Sequence, residues 1–107
     1  MINSVEDLKK FIIDGLEDKK AENITVMDLG GKTSIAKYMI FATGRSTKNV
    51  ASIAEYLAQE IKNNSRLSVA IDGLETSSWV ALDAGDIIVH IFHPEAREHY
   101  RIEEIWR

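Results

Sequence analysis

The chain has 107 residues and a mass of 12.1 kDa, which is one domain's worth of polypeptide. Hydrophobic residues at 45% and charged residues at 28% exclude a disordered chain, and the lack of cysteine excludes disulfides, thiolate metal sites and cysteine nucleophiles. A formal charge of −4 and a pI near 5.3 argue against a general nucleic-acid or anionic-membrane binder.

Ser4 with Asp7, or Asn3 with Glu6, caps a first helix predicted to run to about Lys20, with Val5, Leu8, Ile12 and Leu16 as its apolar stripe. This opening is neither a signal nor a transit peptide, and no apolar run approaches the roughly 18 residues of a bilayer span, so a cytoplasmic location is expected. Asn23 to Leu29 reads as a strand that stops at the Gly30-Gly31 turn. Tyr38 to Thr43 is apolar on both faces: Tyr38, Ile40 and Ala42 point one way, Met39 and Phe41 the other. Such a strand needs cover on both sides of its sheet.

Ser46 or Thr47 caps a second helix along Val50, Ile53, Leu57 and Ile61, which Asn63-Asn64 ends. Leu67, Val69 and Ile71 alternate with polar or small residues as in a half-buried strand. Trp79 to Leu82 and Ile87 to Phe92 form a hairpin across Asp83-Ala84-Gly85-Asp86. Pro94 opens a short third helix through Tyr100, and Ile102, Ile105 and Trp106 are expected to dock the tail. The order α-β-β-α-β-β-β-α predicts an α/β (α+β) domain with a mixed sheet of about five strands and packed helices.

The residues offer several chemistries, each with a plainer explanation. His90, His93 and His99 lack the spacing of a helical zinc site, and His90 points away from His93. Asp83 and Asp86 flank a tight turn, where aspartates bond nearby backbone N–H groups without any metal. Gly31-Lys32-Thr33 ends like a phosphate loop, but Val26 stands where its first glycine belongs and a strand follows. Gly44-Arg45-Ser46 resembles a nucleotidyltransferase turn without the aspartates that should follow it. Ser46, His90 and Asp86 compose a triad only on paper.

Charge is unevenly placed. Residues 1–67 hold ten bases against nine acids, whereas residues 68–107 hold three bases against eight acids. From Leu67 through Ala96 there is no lysine or arginine, and Trp79 lies within that stretch. Trp79 is either an aromatic anchor ringed by acid, suited to a basic protein surface, or a core residue beside a solvated acidic hairpin.

The run from Trp79 to Phe92, continued by His93-Pro94-Glu95-Ala96-Arg97-Glu98-His99-Tyr100 and Ile105-Trp106, resembles the Iojap-related ribosomal silencing factors. Asp28-Leu29, Gly31 to Ile35, Tyr38-Met39-Ile40 and Ala42-Thr43-Gly44 match that family's other signature. The resemblance implies a nucleotidyltransferase-like fold without a catalytic set. It also implies a cytoplasmic homodimer, not an enzyme and without cofactor, that binds the fourteenth protein of the large ribosomal subunit and blocks joining of the small subunit. Organellar relatives act in ribosome assembly. The partner-binding residues it implies are Trp79, Asp83, Ala84, Asp86 and His90, with Lys32 and Ser34 as weaker additions. Ala84 stands where relatives often carry a larger apolar side chain, and Lys37 where many carry an acidic or small one. The rival expectation, of another class, is a metal-dependent phosphohydrolase or nucleotidyl-transfer enzyme using Asp83, Asp86 and His90.

Overall fold

The computed structural model describes residues 2–31 and 34–100. Its elements follow the expected order: α1 (Val5–Asp18), β1 (Glu22–Asp28), β2 (Tyr38–Thr43), α2 (Thr47–Asn64), β3 (Ala70–Asp72), β4 (Trp79–Asp83), β5 (Ile87–Phe92) and α3 (Pro94–Tyr100). They form one five-stranded mixed sheet in the order β1-β2-β5-β4-β3. The central pair, β2 and β5, is parallel and the other three pairings are antiparallel. The two strands that read as apolar on both faces are therefore the two at the centre, as burial of a parallel pair requires.

Both long helices begin where their caps lie. The Ser4 hydroxyl accepts the Asp7 N–H at 3.0 Å, and the Ser46 hydroxyl accepts the Asn49 N–H at 3.0 Å. Each satisfies one of the four backbone donors that a helix start leaves without an intrahelical partner. Ser46→Ala is expected to lower stability by about 1 kcal/mol, measured by denaturant unfolding with an unchanged m-value. The Gly44–Ser46 turn is thus occupied with starting a helix.

α1 and α2 lie on one face of the sheet. Leu8, Ile12 and Leu16 from α1 and Val50, Ile53, Leu57 and Ile61 from α2 bury themselves against Ile40, Ala42, Val80, Leu82, Val89 and Ile91. Gly15 lets the two helices approach, since a Cβ there would stand 2.7 Å from Leu57 Cδ2. On the other face Met39, Phe41 and Phe92 join Leu29 and Ala96 in a second, smaller core. The alternation read for β2 holds.

One expectation changes. Leu67 and Val69 are half-buried against the main core but lie outside the ladder, so β3 is only three residues long. Ala70 pairs with Asp83, the last residue of β4, and beyond it the hairpin turns away. The partner strand runs out before Leu67 can pair. In β1 the register shifts between Glu22 and Thr25, where Asn23 takes a positive φ of 50°. The expected docking of Ile102, Ile105 and Trp106 lies outside the described residues, as does Lys32.

Candidate docking surface

Register decides which side chains share the sheet face turned away from α1 and α2. Residues directly opposed in paired strands point the same way. Trp79, Ala81 and Asp83 of β4 therefore lie beside Phe92, His90 and Ile88 of β5, and Ala81 and Asp83 beside Asp72 and Ala70 of β3. Met39 and Phe41 extend the face on β2.

α3 covers one half of this face. The Arg97 guanidinium donates to the Asn23 carbonyl at 2.6 Å, to Thr43 Oγ1 at 2.9 Å and to Thr25 Oγ1 at 3.1 Å, tying the helix over β1 and β2. The other half is more open. Ala70, Asp72 and Asp83 are exposed there, and Trp79, Ala81 and Ile88 are half-buried. Ala70 and Ala81 keep the surface flat, and its exposed charges among the described residues, Asp72 and Asp83, are both negative. A flat apolar strip with an acidic rim and an indole at one end is suited to a basic protein surface.

The loop entering β4 sets the position of Trp79. Ser77 takes a φ of 55° and is held by its N–H to the Gly73 carbonyl at 2.9 Å and its hydroxyl to the Leu74 carbonyl at 2.7 Å. The Ser78 carbonyl then accepts the His93 N–H at 2.9 Å. The indole stacks near Phe92, with ring centroids 5.4 Å apart, and its N–H donates to His90 Nδ1 at 2.9 Å. His90 also stacks on Phe41 at 5.3 Å and is only 8% exposed. Burial pushes its pKa from the ordinary 6.5 down to about 4, so the ring is neutral near pH 7.

The implied contact residues do not form one patch. Trp79 opens β4 and Asp83 closes it, about 13 Å apart along the strand; the indole is not ringed by the turn acids. Asp83 shares the face of Trp79, and its Oδ1 accepts the Gly85 N–H at 3.0 Å, which accounts for an aspartate in this turn. Ala84 is fully buried in the helix-side core, so its side chain is not a surface contact. It and Asp86 border a groove of about 520 Å³ together with Ile2, Val5 and Leu67, well away from Trp79. Ser34 is exposed in the turn before β2, which meets the hairpin end of β5 through the Lys37 N–H donated to the Asp86 carbonyl at 2.7 Å. His90 is buried between rings rather than presented.

The enzymatic arrangements do not assemble. Ser46 follows the C-terminal end of β2 and Asp86 precedes the N-terminal end of β5; because these strands run parallel, the two residues lie at opposite ends of the sheet. Asp83, Asp86 and His90 do not converge either, and among the described residues no group of three or more histidines and carboxylates is placed to hold a metal ion. Sequence reasoning missed Asp72, Ala70 and Ala81 as part of the open face. Alternation had already turned Asp72 away from the core, but only pairing with β4 puts it beside Ala81.

A family model described as "Ribosomal silencing factor during starvation" matches residues 2–107. A Zymomonas mobilis protein named "Ribosomal silencing factor RsfS" is 46% identical over 101 residues, covering 94% of this chain and 76% of its own length. The crystal structure of a Chromobacterium violaceum protein superposes with a TM-score of 0.92 at 33% identity, covering 97% of this chain and 87% of that one. A more distant mouse relative, "Mitochondrial assembly of ribosomal large subunit protein 1", is 28% identical over 94 residues, covering 85% of this chain and 41% of its own.

Proposed function

This chain belongs to the family of ribosomal silencing factors, and from that membership and the open half of its sheet we propose that it binds the large ribosomal subunit through that subunit's fourteenth protein and thereby blocks joining of the small subunit. The mechanism is occlusion. Two large bodies cannot pair while a folded protein occupies part of their mating surface, and nothing need be chemically transformed. A homodimer, the form that the resemblance implies, would enlarge the obstacle, and the site of action would be the cytoplasm.

The observation that carries this reading is the strip from Trp79 through Ala81 to Asp83, flanked by Ile88, Ala70 and Asp72, on the face that α1 and α2 leave uncovered. An indole half out of solvent at the end of a flat surface is the kind of residue that dominates binding energy. Trp79→Ala is expected to weaken binding to purified large subunits by roughly 2 kcal/mol, about thirtyfold. Unimpaired co-sedimentation of the folded variant would remove the indole from the surface.

The acidic rim acts differently. Exposed charges steer encounter and are screened beyond a Debye length of about 8 Å at physiological ionic strength. Asp72→Lys with Asp83→Lys is expected to slow association and flatten its salt dependence, read by surface-immobilised kinetics across a salt series. Rates and slopes like those of the unaltered protein would discredit the rim.

Sedimentation of separated subunits tests the function as a whole. With this protein present, large subunits should carry it and joined particles should diminish; undisturbed joining at saturating protein would refute occlusion. The mouse relative's name points to a second use of the same docking, in assembly of the large subunit. Co-migration with intact joining would favour that use.

A further inference from the structure

Packing alone does not explain why residue 90 is a histidine. The ring stacks on Phe41 with 16° between planes and lies 6.1 Å from Phe92, contacts that a phenyl ring would make equally well. What an imidazole adds is Nδ1, which accepts the Trp79 indole N–H at 2.9 Å. A neutral imidazole that accepts at Nδ1 carries its proton on Nε2. That second nitrogen is buried and meets no partner among the described residues, and a buried donor without an acceptor weakens the fold. The histidine thus burdens the core with an unmet donor while fixing one torsion of the residue beside it.

Taking the docking function above as its premise, we propose that His90 is the positioning residue of the docking surface, holding the Trp79 indole in one orientation through Nδ1 at the expense of fold stability. An indole free to turn about its side-chain bonds must be ordered when a partner binds; one already tied to the neighbouring strand has lost that freedom beforehand. His90 need not touch the partner. It acts through Trp79.

Opposite effects on stability and binding separate this role from a merely structural one. His90→Phe keeps the ring stack, removes the unmet Nε2–H and takes from the indole N–H its Nδ1 acceptor. Its thermal midpoint should rise while its affinity for purified large subunits falls roughly 3- to 10-fold. Exchange of the Trp79 indole proton with solvent, followed by ¹H–¹⁵N NMR, should quicken in the same variant. His90→Asn, whose side-chain oxygen can stand near the position of Nδ1, should recover part of the affinity although it melts below His90→Phe. Unchanged affinity and unchanged indole exchange in His90→Phe would overturn the proposal, as would ¹⁵N shifts placing the proton of the native imidazole on Nδ1. The NMR measurements need no ribosome. If the unaltered protein fails to bind large subunits, the docking function falls; if it binds and Trp79→Ala does not, while His90→Phe binds normally, only the positioning role falls.

Discussion

Gly73→Ala should unfold this protein well below the melting temperature of the unaltered chain. Gly73 sits at φ +95°, and a Cβ built there would stand 2.3 Å from the Trp79 carbonyl oxygen and 3.3 Å from its carbon. Both atoms are backbone at the start of β4, held in register by the pairing of Trp79 with Phe92. No side-chain rotation relieves the contact, so either the loop or the strand must move. A positive φ on a residue with a Cβ adds its own strain. Together these place the expected loss on the order of 3 kcal/mol, at the upper end for single substitutions. A small domain loses roughly 4–8 °C of melting temperature per kcal/mol. Gly31→Ala is the control, because none of the described residues lies within 4 Å of a Cβ there, and it should melt close to the unaltered protein. A Gly73→Ala protein as stable as Gly31→Ala would show that the loop yields freely. The displaced residue is Trp79 itself, so the variant should also lose affinity for large subunits at temperatures where it is still folded.

Acid should destabilise the protein through His90, over a pH range set by burial. Its folded-state pKa of about 4 lies below the ordinary 6.5, because the rings around it exclude the water that a cation needs. Above pH 6.5 the imidazole is neutral in both states and its contribution is complete. As pH falls from 6.5 toward 4 the unfolded chain takes up a proton that the folded one refuses, and stability drops; below about 4 both forms are protonated and the loss levels off. The difference in pKa corresponds to about 3 kcal/mol at 1.36 kcal/mol per unit. Protonation at Nδ1 would also end acceptance of the indole N–H. Urea unfolding from pH 7.5 to 4 should show this loss in the native protein, and His90→Phe should lack it. Parallel pH profiles for the two would mean that the imidazole is charged without penalty.

Most of the secondary structure was legible in the chain because it rests on local physics. Ser4 and Ser46 announce helix starts with side chains that bond backbone two or three residues on, and the stripe through Val50, Ile53, Leu57 and Ile61 repeats at the period of the helix it forms. The hairpin turn declared itself by Asp83 and Gly85. β3 was overdrawn for a reason that is not local: Leu67 and Val69 have the right alternation, but their would-be partner ends at Asp83. The candidate site was legible in its residue types and not in its arrangement. Trp79 and the acids were visible as a basic-residue-free stretch. That Asp72 joins Trp79's face, that Ala84 leaves the surface and that His90 is sandwiched between rings all depend on which strand lies beside which.

By itself, then, the sequence determined the element order, the doubly apolar central strands and the family, since each is written in residues close together or in a run of matched motifs. Only the tertiary structure decided the strand order β1-β2-β5-β4-β3, the face on which α1 and α2 lie and the bond between Trp79 and His90. The reason is that alternation assigns a side chain to one of two faces but cannot say which neighbour shares it. Neighbours are set by pairing between segments far apart in the chain, and the docking strip is made of such neighbours.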